Sequence, residues 1–483
     1  MTQEGTQAPE VTHEGTQAPD AGARRWWVLV AVMVETVMGP LDSSAVNIAL
    51  PTLTAHFGVP ITTVEWVVLG YLLAVSALLP TFGRLGDMVG LKRVYLSGFA
   101  VFTLGSFLCA LSWTIWALIG FRVLQALGAG MLFAVGPAII TKAFPPSERG
   151  KALGFVGVAV SVGLAVGPTL GGAIIAIAGW PWIFIINIPI GFVAFIVAFV
   201  LLPETKTPGQ KIDPLGAAFS FLALLSLLLV LSKGQAWGWG PLVSVLVGFT
   251  VLFAALFVVT ELRVGQPVLD LRMFRVRIFS AGILSALCSF VVTATVTFIM
   301  PFYLMDVRGF SVQHAGVLLA PVPLAIAVLG PLSGSLSDRI GSRVPSTVGL
   351  LVSTVGIASF ATLTMTTSAL GILVRLLGVG AGIGLFQAPN SSAVMGSVPR
   401  QRVGIASGMV ASARNTGLVL GVALAGFVLA VREPVYLAQL SGMVPSQLAS
   451  KQAFLSAAHD AAMVAAAVCL FGAVTSSVRG ERT

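Results

Sequence analysis

The chain has 483 residues, of which 57% are apolar and only 9% charged, with a formal net charge of +9. An ordinary soluble domain carries about 25% charged residues, and so sparse a set cannot cover a surface in water. Three cysteines exclude a disulfide scaffold, and no Cys or His pair has zinc-ligand spacing, so a polytopic membrane protein is what remains.

In chain order, residues 1–23 contain EGTQAP twice, at 4–9 and 14–19, without any apolar period, and read as a disordered tail. Acids rather than bases lead it, so it is not expected to be a signal peptide. Fourteen apolar runs follow, at 26–49, 64–83, 94–112, 115–138, 152–175, 182–202, 214–232, 241–261, 279–303, 314–334, 345–366, 369–390, 404–430 and 459–478. A spanning helix needs roughly 20 such residues. Runs this continuous suit helices rather than the alternating strands of a barrel. The expected fold is an all-α membrane protein with fourteen transmembrane helices.

With the N-terminus placed in the cytoplasm, the cytoplasmic segments hold twenty Lys and Arg, and the outer loops hold four: Lys233, Arg308, Arg432 and Lys451. The positive-inside rule then puts both termini in the cytoplasm. Bases that recur in small groups between apolar runs do not form the single basic face that nucleic acid requires. Arg122, Arg375 and Arg414 are left over, and all three lie inside apolar runs.

An internal repeat is visible. GRLGDMVGLK (83–92) matches GSLSDRIGSR (334–343), Arg122 corresponds to Arg375, and Gly163, Gly167 and Gly172 correspond to Gly417, Gly421 and Gly426. The expected organisation is a tail at 1–23, a six-helix bundle at 24–203, a two-helix insert at 204–265, a second six-helix bundle at 266–478 and a short cytoplasmic tail at 479–483. Parallel repeats of this kind are a transporter architecture with the cavity at the repeat interface.

The first run carries Glu35 and Asp42, seven residues apart. Seven steps of a helix return to within about 20° of the start, and the rise is about 10 Å, so both acids share one face. Gly39 and Pro40 between them are expected to loosen the helix. Intramembrane acids are costly and normally face a cavity or a partner. Desolvation favours a neutral carboxyl, which suits a proton carrier; the bland alternative is a static ion pair with Arg122 or Arg414. Arg122 needs an anion or carbonyls, and Asp42 is its candidate partner. Gly83, Gly86 and Gly90 permit a tight turn, and Asp87 can cap the following helix or pair across to a base. Gly163, Gly167, Pro168, Gly171 and Gly172 form a small-residue stripe with a bend, whose plain reading is close packing. Asn47, Gln125, Gln387 and Asn390, with Glu35 and Arg414, are candidates for a polar cavity lining, or for hydrogen bonds across helices.

These residues resemble the major facilitator superfamily, and specifically its 14-helix drug:proton antiporter family, over about residues 26–478. LDSSAVNIALP resembles the first-helix motif LDxTxVNxALP. GRLGDMVGLKR resembles the loop motif GxLaDrxGRKx, RVLQALGAG the fourth-helix motif RxxQGxGAA, and GLAVGPTLGG the antiporter motif of the fifth helix. WPWIFIINIPIG resembles WRWIFxINxPIG, a mark of the 14-helix branch. The resemblance implies that Asp42 is the protonatable acid, that Arg122 is tied to proton coupling, and that Gly167 and Pro168 form the antiporter bend. It implies a cytoplasmic latch of Gly83, Asp87, Gly90, Lys92 and Arg93, with Asp338 and Arg339 in the second copy. Met88 and Leu91 replace two usual bases, Ala126 replaces a glycine and Pro181 an arginine; Glu35 lies outside the motif.

The implied function is a monomeric, proton-driven exporter of amphipathic, cationic or neutral drugs across the cytoplasmic membrane. Its partners would be such compounds, protons and membrane lipid. No metal or organic cofactor is expected, and the absence of a P-loop leaves the proton gradient as fuel. The rival within transport is a dedicated exporter of one self-made metabolite or lipid. The rival of another class, a membrane enzyme or receptor, lacks a nucleophile motif, a His cluster or a soluble domain.

Overall fold

The computed structural model describes residues 21–204, 213–234, 237–238, 240–264, 269, 271–440 and 445–480, with the side chains of residues 21–23, 61, 62, 164, 165, 168, 312 and 313 excepted. Most of the tail, and Lys206, Lys211 and Arg482 of the charge count, lie outside the described residues. Among the described residues, fourteen long helices follow one another: α1 (Ala21–Phe57), α2 (Trp66–Val89), α3 (Leu91–Ala110), α4 (Ile115–Ala143), α5 (Arg149–Ala178), α6 (Asn187–Leu201), α7 (Pro214–Lys233), α8 (Pro241–Arg263), α9 (Arg277–Phe302), α10 (Pro321–Ile340), α11 (Arg343–Ala358), α12 (Ala369–Gly396), α13 (Val403–Leu440) and α14 (Ser446–Val478). Among the described residues, thirteen stretches are long and apolar enough to cross a membrane. The fourteenth is α5, with 30 residues. The protein is an all-helical, multi-pass membrane protein.

Three boundaries differ from the expected ones. Helix α1 starts at Ala21 rather than after residue 23, and it runs through both Pro40 and Pro51 without ending. Helices α13 and α14 reach far past the apolar runs 404–430 and 459–478. Apolar runs mark only lipid contact, whereas a helix continues into water if its side chains are held there. Here the extensions are held by Arg432 Nε, which donates to Asp460 Oδ2 at 2.6 Å, and by the Tyr436 hydroxyl, which donates to the same oxygen at 2.9 Å.

Polar contacts place both chain ends on one face. Arg25 pairs with Glu148 between α4 and α5 at 3.0 Å. Asp338, at the end of α10, accepts from the amides of Gly150 and Lys151. Arg343 donates to the carbonyl of Ser477 at the end of α14. This is the terminal face below.

Helices α1–α6 pack together, as do α9–α14, and the halves meet where α5 lies on α10 and α2 on α13. Glycines make those contacts possible. A Cβ on Gly83 would sit 2.5 Å from the carbonyl oxygen of Gly404, and one on Gly154 would sit 2.5 Å from that of Gly330. Backbones can approach this closely only without side chains, the usual device where lipid removes any hydrophobic drive between helices. Helix α7 of the insert packs on α8, α2 and α13. It is tied to the first half by Lys233 Nζ and Glu65 at 2.7 Å.

Candidate functional site

Helix α1 carries Asp42 into the first half, where it is fully buried. Arg122 Nη1 of α4 donates to Asp42 Oδ2 at 2.6 Å. Asp42 Oδ1 accepts from Asn187 Nδ2 of α6 at 2.7 Å and from Gln125 Nε2 at 3.3 Å. Arg122 also donates to Gln125 Oε1 at 2.6 Å and, through Nε, to the Val67 carbonyl at 3.2 Å. Its guanidinium carbon lies 4.1 Å from the centroid of the Tyr71 ring. Gln125 Nε2 donates onward to Ser106 Oγ of α3 at 2.8 Å. Five helices therefore converge on one ion pair. Two buried charges are tolerable only when pairing and hydrogen bonds replace lost water, and this network supplies both.

The sequence pattern anticipated Asp42 and Arg122 together, and it grouped Gln125 with the cavity lining. The structure corrects that last placement: Gln125 is fully buried and spends its amide on Asp42, Arg122 and Ser106. Asn47 is exposed on α1 and does not line the cavity. Asn187 was given no role, although it stands in WPWIFIINIPIG; a lone amide in an apolar run was the available signal. Arg375 is no second Arg122. It lies in the first turns of α12 and caps a neighbouring segment, donating to Ser359 O at 3.1 Å and Thr362 Oγ1 at 2.7 Å.

Glu35 is 3% exposed and sits two turns before Asp42. Its Oε2 accepts from Thr36 Oγ1 at 3.3 Å, while Oε1 is buried without a partner. The stripe of α5 lies on α1 from Val37 to Ala45, across the Asp42 position. A Cβ on Gly163 would come 2.5 Å from the Val37 carbonyl, one on Gly171 would come 2.8 Å from Ala45, and one on Gly167 would strike the Ser44 hydroxyl. The packing reading of the stripe thus holds. Pro168 falls within α5, but its side chain lies outside the described residues. The repeat places Gly417 and Gly421 of α13 against the carbonyls of Leu287 and Val291 of α9 in the same way.

The motif at 83–93 works across the halves, by a contact the sequence did not specify. Among the described residues, Asp87 neither caps the following helix nor forms an ion pair with a base. Its two carboxylate oxygens accept from the backbone amides of Gly404 and Ile405, both at 2.8 Å, at the start of α13. Asp338 does the same for α5, accepting from Gly150 at 2.9 Å and Lys151 at 3.1 Å. The first amides of a helix lack internal partners and carry its positive dipole end, so each carboxylate suits the helix of the opposite half. Gly90 and Gly341 turn the chain after these aspartates with φ of 111° and 85°. Lys92 and Arg93 stay within the first half. Lys92 lies 5.2 Å from the Phe199 ring centroid, and Arg93 lies 3.9 Å from Glu204 in an exposed pair. Arg339 is exposed.

A cavity lies between the halves. Phe133, Pro137, Val156 and Val160 form its wall on the first half; Phe290, Ile326, Gln387, Asn390, Ser407 and Arg414 form the wall opposite. Gln387, Asn390 and Arg414 line it, whereas Glu35 does not. Asn390 also hydrogen-bonds across helices: its amide donates to Gly282 O at 2.9 Å, and its oxygen accepts from Arg479 at 3.2 Å. Arg414 donates to Asn415 Oδ1 at 3.4 Å and lies 5.6 Å from the Phe133 ring centroid. Asn415 reaches Ser76 of the first half at 3.1 Å.

Known proteins share both the sequence and the architecture. The chain is 33% identical over 455 residues to the riboflavin transporter RibZ of Clostridioides difficile, covering 93% of this chain and 96% of that protein. It is 32% identical to the multidrug resistance protein Stp of Mycobacterium tuberculosis, covering 83% of this chain and 75% of Stp. It is also 32% identical to the tetracenomycin C resistance and export protein of Streptomyces glaucescens, covering 85% and 77%. Among solved structures, the human organic anion transporter MFSD10 superposes with a TM-score of 0.63 at 17% identity, covering 92% of this chain and 99% of MFSD10, a likeness of fold. The family model of the Major Facilitator Superfamily matches residues 33–422. With fourteen helices, two halves joined by crossed aspartate caps and a cavity between them, this chain belongs to the Major Facilitator Superfamily of membrane transporters.

Proposed function

We propose that this protein is a proton-coupled antiporter that exports amphipathic compounds across the cytoplasmic membrane by alternating access, with both termini in the cytoplasm. The observation that carries the reading is the Asp42–Arg122 pair, fully buried at 2.6 Å within a hydrogen-bond network. Neutralising Asp42 with a proton releases Arg122 from its only carboxylate among the described residues. Arg122 then keeps the Val67 carbonyl, the Gln125 oxygen and the Tyr71 face as acceptors. The pair thus has two supported states that differ by one proton and in the hold of α4 on α1.

A mechanical path leads from that pair to the interface between the halves. Helix α5 lies on α1 from Val37 to Ala45, and the same helix meets α10 at Gly150 and Gly154. A displacement of α1 is therefore passed to the contact that closes the terminal face. In this reading the terminal face is cytoplasmic, and the Asp87 and Asp338 caps hold it shut. Substrate binds in the cavity from the cytoplasm when the caps are open, and proton entry from outside resets the cycle. Coupling requires only that substrate and proton stabilise different states.

The test is transport into inverted membrane vesicles. Tetracenomycin C and riboflavin, the compounds named for two relatives, begin the panel. Uptake is expected to follow an imposed pH gradient and to stop on adding a proton ionophore, with no need for ATP. Uptake that survives collapse of the gradient would overturn the antiport reading.

A further inference from the structure

We infer that Arg414 is a specificity-determining residue that takes an anionic edge of the exported compound, while the compound's apolar body lies on the wall formed by the first half. The inference rests on the reading of this cavity as the transport site and names the chemistry it selects.

The two walls are chemically unlike. The first half presents Phe133, Pro137 and Val156, whereas the polar side chains Gln387, Ser407 and Arg414 all come from α12 and α13. The charge of Arg414 is poorly met. Its guanidinium donates only to Asn415, at a long 3.4 Å, and no carboxylate lies within ion-pair distance among the described residues. Arg122, in contrast, has a carboxylate, an amide and a carbonyl. An arginine at membrane depth without an anion is costly, and its planar fork fits a carboxylate or a similar two-oxygen edge. Ser407, also on the wall, is 1% exposed, and its Oγ is buried without a partner.

Glu35 is 3% exposed and does not line the cavity, and among the described residues it forms no ion pair with Arg414. Of the side chains that line the cavity, Arg414 is the one that carries a charge. An anionic edge meets it directly.

Binding of two matched tricyclic dyes to purified full-length protein, read by fluorescence anisotropy, tests this. Fluorescein supplies the anionic edge and rhodamine 6G the cationic one. Arg414→Gln is expected to weaken fluorescein binding about ten- to a hundredfold, the span for losing a charge-assisted hydrogen bond. It should leave rhodamine 6G unchanged or tighter. Arg414→Lys should fall between. Wild-type fluorescein affinity in Arg414→Gln, or equal losses for both dyes, would overturn the inference. If Arg414→Gln does not fold, Arg414→Lys decides: unchanged fluorescein binding there, or equal losses for both dyes, would overturn the inference. The antiport reading fails separately: it falls if ionophore leaves export intact, whatever the dyes do.

Discussion

Replacing Asp42 with Asn removes the carboxylate that Arg122 meets at 2.6 Å but keeps the side chain's shape. Leaving one member of a buried ion pair uncompensated costs about 3–5 kcal/mol. The Asn carbonyl still accepts one hydrogen bond from Arg122, worth about 1 kcal/mol, so a net loss of about 2–4 kcal/mol in stability is expected. Replacing both charges, as Asp42→Asn with Arg122→Gln, leaves only neutral amides among Asn187, Gln125 and Ser106. That double variant should recover most of the loss, because exchanging a buried pair for neutral groups is often near neutral. Uphill export should be absent from both, since neither holds a carboxyl beside residue 122. The assay is equilibrium unfolding in mixed micelles for the complete double-mutant cycle, beside vesicle transport on the same preparations. A coupling energy below about 0.5 kcal/mol would show that the two residues are energetically independent. Full uphill export by Asp42→Asn would show that Asp42 is not the proton site.

Asp87→Asn should slow turnover while leaving ligand affinity near that of the wild type, because its contacts are with the Gly404 and Ile405 amides and not with the cavity. Spin-label distances between the terminal-face ends of α2 and α13 should lengthen, and unchanged distances would contradict the cap's role. Gly83→Val should abolish transport, since its first carbon alone would lie 2.5 Å from the Gly404 oxygen; normal transport would mean that the halves need not close this tightly. Asn187→Ala removes a 2.7 Å bond to the Asp42 carboxylate and should cost about 1.5–3 kcal/mol, measured by the same unfolding assay. Cysteines introduced at Arg400 and Arg432 should label from opposite sides with an impermeant reagent, Arg432 from outside. Labelling of both from outside would reverse or break the fourteen-helix topology.

Composition and apolar run length were sufficient to read a multi-pass helical protein, because lipid leaves a backbone only helices or closed barrels to satisfy its amides, and continuous apolar runs are not barrel strands. The fourteen helices, the repeat between the halves and the Asp42–Arg122 partnership were legible for the same reason. A charge inside an apolar run has few places to go, and one acid and one base on neighbouring helices narrow them further. The limits of α13 and α14 were not legible, because apolar runs mark where lipid stops and not where a helix stops.

Which charge meets which group depended on the tertiary arrangement. Sequence places Asp87 and Asp338 at the ends of α2 and α10, but their partners are backbone amides of α13 and α5, and an amide carries no side-chain signature. Gln125 and Gln387 look alike in sequence, each an amide in an apolar helix. Only the crossing of five helices makes one a strut of the ion pair and leaves the other on the cavity wall. Arg122 and Arg375 occupy equivalent places in the repeat, yet among the described residues no acid pairs with the latter, which caps a helix end instead. The sequence by itself determined the solvent and the element type, because both follow from local hydrophobicity and hydrogen-bond satisfaction. Pairing across hundreds of residues was decided by packing, because an ion pair at 2.6 Å is a property of two helices' relative position and not of either helix alone.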